Sequence, residues 1–437
     1  MSTTEAGTPA SHAAAFWFLA VLPLLAVLFN RGHMGIAAIG LAIATVAAMR
    51  VTGVRGALGQ IVRAWRPPYG PTVLAVLVFC ILAEISSFWA FDPPLALARA
   101  ASLAGVVLIA LPLPALLSHS DARTTTIFAF SGLLAASLFL AEETIGPAVF
   151  SSWRIAVHYS QWPMGTEGNE RLLDHYLMQI NRSVVTVSLL LWPTGFLLWH
   201  RGRKDLLALL LLVALPAIAA SFSQSAILGA IVGAVAALVT VLAWRLAVYG
   251  FAAAVMLLAA ETPMIFKIMP DRAGEFLVKA AGGGGAAERL VIWKAFAESV
   301  FQRPILGWGA DAGRFFGADD VPPKFVPKGW PDQMWHHPHN GFLQAWVDMG
   351  VFGGLTLGAI FAAASFAIAG LPASLRPAAM GCLAASAAVT LVSHGLWQTW
   401  SLMLMALCAA FFVWLGKTVA LEADLSAALN MDGRPYA

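Results

Sequence analysis

Polar residues are scarce in this chain, and the densest group of them is His336-His337-Pro338-His339-Asn340. Three histidines so close together invite a zinc site. That would want Cys or carboxylate ligands at fixed spacing, or a His-Glu-x-x-His run on one helix face. Neither accompanies the cluster, so no metal is expected. The other chemistry is proton transfer. Pro338 favours a helix beginning near residue 339, with His339 or Asn340 in its capping turn. A helix N-terminus disfavours the charged imidazole, which leaves a neutral ring able to take a proton from a hydroxyl. The bland reading is a solvated His near a cap. Past it, Phe342, Leu343, Trp346 and Met349 form an apolar stripe that runs to Gly350.

A base needs something to act on, and the cations indicate what. Ala286 to Val300 has helical character, and Arg289, Trp293, Phe296 and Val300 fall on one face of it. A guanidinium heading an apolar stripe either snorkels to lipid headgroups or clamps an anion such as a diphosphate. Upstream, Gly282-Gly283-Gly284-Gly285 lacks the spacing and Lys of a phosphate loop and reads as a hinge. Downstream, Pro304-Ile305-Leu306-Gly307-Trp308-Gly309 reads as a helix stop and tight turn. Arg182, after Asn181, heads a span, as an interfacial anchor or a second cation at the same site. The polar run Ser221-Phe222-Ser223-Gln224-Ser225 either satisfies helix ends or binds a sugar or phosphate. Glu84, Glu142 and Glu143 lie near span ends, where carboxylates are rare and often functional. Trp293, Trp308, Trp330 and Trp335 offer faces for sugars or anchors for the interface.

The elements that must hold these groups follow from composition. Of 437 residues, 59% are hydrophobic and 11% charged, which is too apolar for a soluble fold. Twenty-six Lys and Arg against 23 Asp and Glu leave +3, so a nucleic-acid partner is excluded. Cys80, Cys382 and Cys408 sit inside apolar runs and read as small core residues rather than a disulfide framework. Continuous Leu- and Ala-rich stretches predict an all-α polytopic membrane protein, not a β-barrel. Twelve spans are expected, near 13–30, 33–49, 72–90, 98–117, 125–142, 183–199, 206–220, 226–244, 246–260, 351–370, 378–396 and 400–416. Spans one to nine thus occupy 13–260 and spans ten to twelve 351–416, with a tail at 417–437. Loops on the side of the termini hold twelve Lys and Arg and the short opposite loops five, which predicts cytoplasmic termini. The first span, with no Lys or Arg before it, reads as a membrane helix rather than a cleaved signal. Two long outer segments remain, 143–182 and 261–350; the second holds five of the sixteen tryptophans and is expected to fold as a helical subdomain carrying the chemistry.

His339-Asn340, then nine residues, then Gly350-Val351-Phe352-Gly353 resembles the His-Asn-(nine)-Gly-x-x-Gly signature of bacterial O-antigen ligases. Arg289 with Trp293 and the Pro304–Gly309 turn is similar to the run before that signature. The layout is similar too, with about twelve spans and one large outer loop between the ninth and tenth. The resemblance implies a GT-C-type glycosyltransferase of the bacterial inner membrane with its site on the periplasmic side. Its activity would be inverting, metal-independent transfer of polysaccharide from undecaprenyl diphosphate to lipid A–core oligosaccharide, with no cofactor. By carry-over His339 is the catalytic His and Arg289 the essential Arg of the large loop. Arg182 would be the other outer Arg, with Arg154 and Arg171 as neighbouring alternatives. His337, Asn340, Gly350, Gly353 and Trp293 are expected to support the site. Relatives often carry an Arg after Ser-x-Ser beyond the seventh span; here the position reads Ser223-Gln224, so Gln224 is expected at the diphosphate site in its place, and the site then lacks one cation or recruits it from elsewhere. A polysaccharide polymerase shares donor and motif and is the nearest alternative. A transporter predicts mid-membrane charges and paired broken helices, against which the charges here gather at the outer surface.

Overall fold

The computed structural model describes residues 16–28, 33–118, 121–145, 166–221, 223–270, 276, 279, 285–319, 321–331 and 335–431. Arg154, the Arg171 side chain, Gly282, Gly283 and Gly284 lie outside the described residues. The described chain is helical, with no strand among its elements. In order the helices are α1 Phe16–Leu28, α2 His33–Ala64, α3 Gly70–Ser86, α4 Pro93–Ala110, α5 Leu113–Leu117, α6 Ala122–Ile145 and α7 Thr166–His200. They continue with α8 Lys204–Ala220, α9 Gln224–Ile268, α10 Gly285–Gln302, α11 Gly341–Ala369, α12 Arg376–Val392 and α13 Thr399–Met431.

Every expected span has a helix in its place, but not every helix is a full span. Seven of the described helices are long and apolar enough to cross a membrane, or eight if the bent α2 counts as one. α1 and α12 are apolar but short. The 45 residues of α9 are two helices merged across non-helical Ala243, two residues before Arg245, where the sequence divides spans eight and nine. Leu108, Leu212, Val241 and Leu242 lie exposed on the flanks of these helices, as expected where lipid rather than water is the solvent.

Small residues let the helices approach. A Cβ at Gly233 of α9 would sit 2.7 Å from the Gly381 carbonyl of α12, and one at Gly358 of α11 would be 2.6 Å from Ala259 of α9. Charges sort to two ends. At one end Arg201 and His200 meet Glu422 at 2.7 and 2.8 Å, and Lys417 Nζ donates to the Arg63 carbonyl at 3.0 Å. At the other, Arg99 of α4 meets Asp311, which lies between α10 and α11, at 3.1 Å.

Among the described residues between α9 and α11, packing centres on α10. Ile292, Phe296, Ala297 and Val300 pack with Trp308, Phe316, Leu343 and Val347 into one buried cluster. Trp330 meets Phe296 and Phe316 edge-on at 4.9 and 4.8 Å, and Trp335 at 5.8 Å. Trp308, Trp330 and Trp335 are therefore part of this aromatic core, because a subdomain this small has few other side chains large enough to fill it.

The segment is locked to the bundle through a break in α11. Gly350 has φ 63° and ψ −152°, a backbone state that L side chains rarely adopt, and a Cβ there would collide with the Ile305 carbonyl. The break frees the carbonyls of Val347 and Asp348 to accept from Trp308 N and Gly309 N at 2.8 and 2.9 Å, while Val351 N donates to the Pro304 carbonyl at 2.9 Å. The Pro304–Gly309 turn and the Gly350–Gly353 motif are thus two halves of one joint. Asp348, fully buried, accepts from Ala312 N at 3.2 Å and from Trp397 Nε1 at 2.7 Å, extending the joint to the segment before α13.

Candidate active site

Asn340 caps α11: its side-chain oxygen accepts from Leu343 N at 2.9 Å. That leaves His339 one residue outside the helix with φ 52°, which turns its ring back toward the loop that joins α12 and α13. There Nδ1 lies 2.9 Å from the Ser393 carbonyl. A carbonyl only accepts, so Nδ1 carries the proton and Nε2 presents its lone pair. Burial lowers the His339 pKa from its ordinary value, and the charge of Arg289 lowers it further, against the carbonyl bond and Glu288, which raise it. The result is a neutral imidazole with a fixed tautomer.

Arg289 sits half-buried on the first turns of α10, on the face whose other members fill the subdomain core. Desolvation lowers its pKa and Glu288 opposes the shift. Its charge is felt at both His339 and His394, so α10 brings the guanidinium to the imidazoles. Trp293, one turn on, donates from Nε1 to the Pro338 carbonyl at 2.7 Å and so ties α10 to the His loop.

His337 and His339 face each other with ring centres 4.3 Å apart. His337 packs against Gly395, where a Cβ would come within 2.7 Å of the ring, and lies 3.5 Å from Gln398 Nε2. Burial, with His339, His336 and Arg314 adding to it, pushes the His337 pKa down to about 3. His336 is exposed. Among the described residues no group of three or more His, Cys, Asp or Glu is placed to hold a metal.

The loop Ser393–Gln398 is the part the sequence reading missed. The expected eleventh span ran to 396, but α12 stops at Val392. The loop then supplies the Ser393 carbonyl to His339, the Leu396 N–H to Gln344 Oε1 at 2.6 Å and Trp397 to Asp348. The signal was present as Ser393-His394-Gly395, a polar, flexible triplet inside an apolar run.

Arg182 arrives from the other side of this loop. It lies on α7 with its guanidinium 5.8 Å from the Trp400 ring, and the Trp400 ring is 4.5 Å from that of His394. Arg182 is the charge that acts most on His394, ahead of His339, His337 and Arg289. Arg182, Arg289, His337, His339 and His394 thus converge from four separate elements. Asn181, beside Arg182, accepts from the Ser223 and Ser225 hydroxyls, and Ser223 caps α9 through Ala226 N. Gln224 is exposed on the first turn of α9.

Residues 185–358 match a known family model, a stretch that contains His339, Arg289 and the Gly350–Gly353 break. It is that of the O-antigen ligases. The resemblance read from the His-Asn spacing is therefore borne out, while Arg182 and the Ser393–Gln398 loop lie beyond the stretch matched as O-antigen ligase. Among curated proteins the chain is similar to one provisionally named polysaccharide ligase from Rickettsia conorii, 24% identical over 232 residues, which cover 51% of this chain and 54% of that one. A counterpart of the same provisional name from Rickettsia prowazekii is 25% identical over 234 residues, covering 51% and 55%. The chain spans about half the length of the curated relatives it matches.

Proposed function

We propose that this protein is an O-antigen ligase that moves polysaccharide from undecaprenyl diphosphate to lipid A–core oligosaccharide. It would work in the bacterial inner membrane, on a GT-C-type framework, with the His loop on the periplasmic side. The observation that carries the reading is the His339 Nδ1 bond to the Ser393 carbonyl, which leaves Nε2 as a base beside Arg289.

A sugar hydroxyl is a poor nucleophile at neutral pH, so its attack on the anomeric carbon benefits from a group that takes the proton as the C–O bond forms. Nε2 of His339 is that group. The bond from the anomeric carbon to the diphosphate oxygen breaks on the opposite face, which inverts the centre, and the electron pair leaves with the diphosphate. Arg289 and Arg182 stabilise the charge that grows there, a task fixed guanidiniums perform without a metal ion. An apolar cavity of about 260 Å³, with Phe79, Leu103, Phe361 and Leu396 of the His394 loop in its wall, is suited to an isoprenoid chain whose headgroup lies at the site.

The test is transfer with purified protein, lipid-linked glycan and lipid A–core. Loss of core capping in His339→Ala and Arg289→Ala, with folding intact, is the expected result; capping at the wild-type level by either removes the assignment. Omitting the core separates the polymerase reading, because chain lengthening without it would make the second lipid-linked glycan the acceptor.

A further inference from the structure

Beside His339, three enclosed polar atoms have no hydrogen-bond partner: Asn340 Nδ2, Ser393 Oγ and His394 Nε2. Folded proteins satisfy nearly all such atoms, since an orphan costs more than the bond returns, so a cluster of them marks a place where something else binds. The Asn340 amide is not free to flip, because its oxygen caps α11. Its nitrogen is therefore a fixed donor.

His394 is the informative member. Its ring meets Trp400 edge-on, and the Trp400 ring also lies 5.8 Å from the Arg182 guanidinium. The cations whose charge reaches the ring are Arg182 and Arg289, and among the described residues no carboxylate joins them. Burial, with Arg182 and Arg289 adding to it, keeps the imidazole neutral. A neutral imidazole still has one N–H to donate. Neutral donors beside the Arg182 and Arg289 guanidiniums match the chemistry of an anion with several acceptor oxygens.

We propose that His394 is a diphosphate-contacting residue, donating from Nε2 to a non-bridging oxygen of the lipid diphosphate between Arg182 and Arg289. Asn340 Nδ2 is the second neutral donor to the same group. The inference rests on the donor named under Proposed function. It adds a neutral donor to the cations, supplied from outside the segment matched as O-antigen ligase, in a chain where Gln224 stands at a position expected to hold an Arg.

The experiment uses the full chain in lipid nanodiscs, with radiolabelled undecaprenyl diphosphate and undecaprenol as probes. Wild type is expected to bind the diphosphate more tightly than the alcohol. His394→Ala should lose about tenfold to a hundredfold in affinity for the diphosphate, the worth of a hydrogen bond to a charged group, with undecaprenol binding and melting temperature unchanged. His394→Gln, which places an amide N–H near the position of Nε2, should recover most of the loss. Should His394→Ala melt early, His394→Phe fills the space without a donor, and the Gln–Phe difference is read instead. Diphosphate binding by His394→Ala, or equal binding by the Gln and Phe variants, at the wild-type level while Arg289→Ala is weakened rejects the role of His394 and leaves the donor standing. A wild type that does not distinguish the diphosphate from the alcohol overturns both.

Discussion

His339 works as a base only while neutral, and each of its surroundings acts on that state. Burial and Arg289 lower its pKa below 6.5, so the acid limb of the rate profile should lie below pH 6.5. A limb above that value would contradict a buried neutral base. His339→Ala should reduce transfer by about 10²–10⁴-fold, the usual share of a general base. His337 gives a stability prediction of defined sign. Its pKa falls from 6.5 to about 3 on folding, so between those values the unfolded chain binds a proton that the folded chain does not. Stability is fully present above about pH 6.5 and is lost as the pH falls toward 3. A melting series over that window should show the decline, and His337→Gln should flatten it.

At the scale of elements, the joint between the Pro304–Gly309 turn and the break in α11 positions everything else. The turn caps the carbonyls that Gly350 frees, Asp348 accepts from Trp397, and Trp397 belongs to the same loop whose Ser393 carbonyl orients His339. Gly350→Ala meets both a forbidden backbone state and the Ile305 carbonyl. It should destabilise by at least about 1–3 kcal/mol and lower transfer without touching any reacting group, which thermal melting and the transfer assay together would reveal. The Gly-x-x-Gly part of the signature is accounted for by this joint rather than by chemistry, since a Cβ at Gly353 would strike the Ala345 carbonyl.

Over the whole molecule, the two charged ends agree with the sorting of Lys and Arg between loops. Arg63, Arg201 and Lys417, assigned to one side from the sequence, make their contacts at one end of the bundle. Cysteine labelling tests which end faces out. Cys80, Cys382 and Cys408 are all buried and should stay silent. His336→Cys, exposed beside the site, should react with a membrane-impermeant maleimide in intact spheroplasts, and Leu425→Cys only after permeabilisation. Labelling in the reverse order would invert the assigned orientation.

Composition and periodicity made the membrane class and the helix positions legible, because a bilayer demands long apolar helices. Asn340 was one of two candidate caps for α11, being among the residue types a helix N-terminus favours. The pair His339 and Arg289 could be named from spacing and resemblance, since both lie in the one stretch between α9 and the body of α11. Arg182 could be named but not oriented, and His394 was hidden within an expected span. Their convergence depends on how α7 and the end of α12 pack relative to α10, which relates residues more than a hundred positions apart. A local pattern encodes a helix and its cap; only the packing of whole helices decides which caps and cations meet.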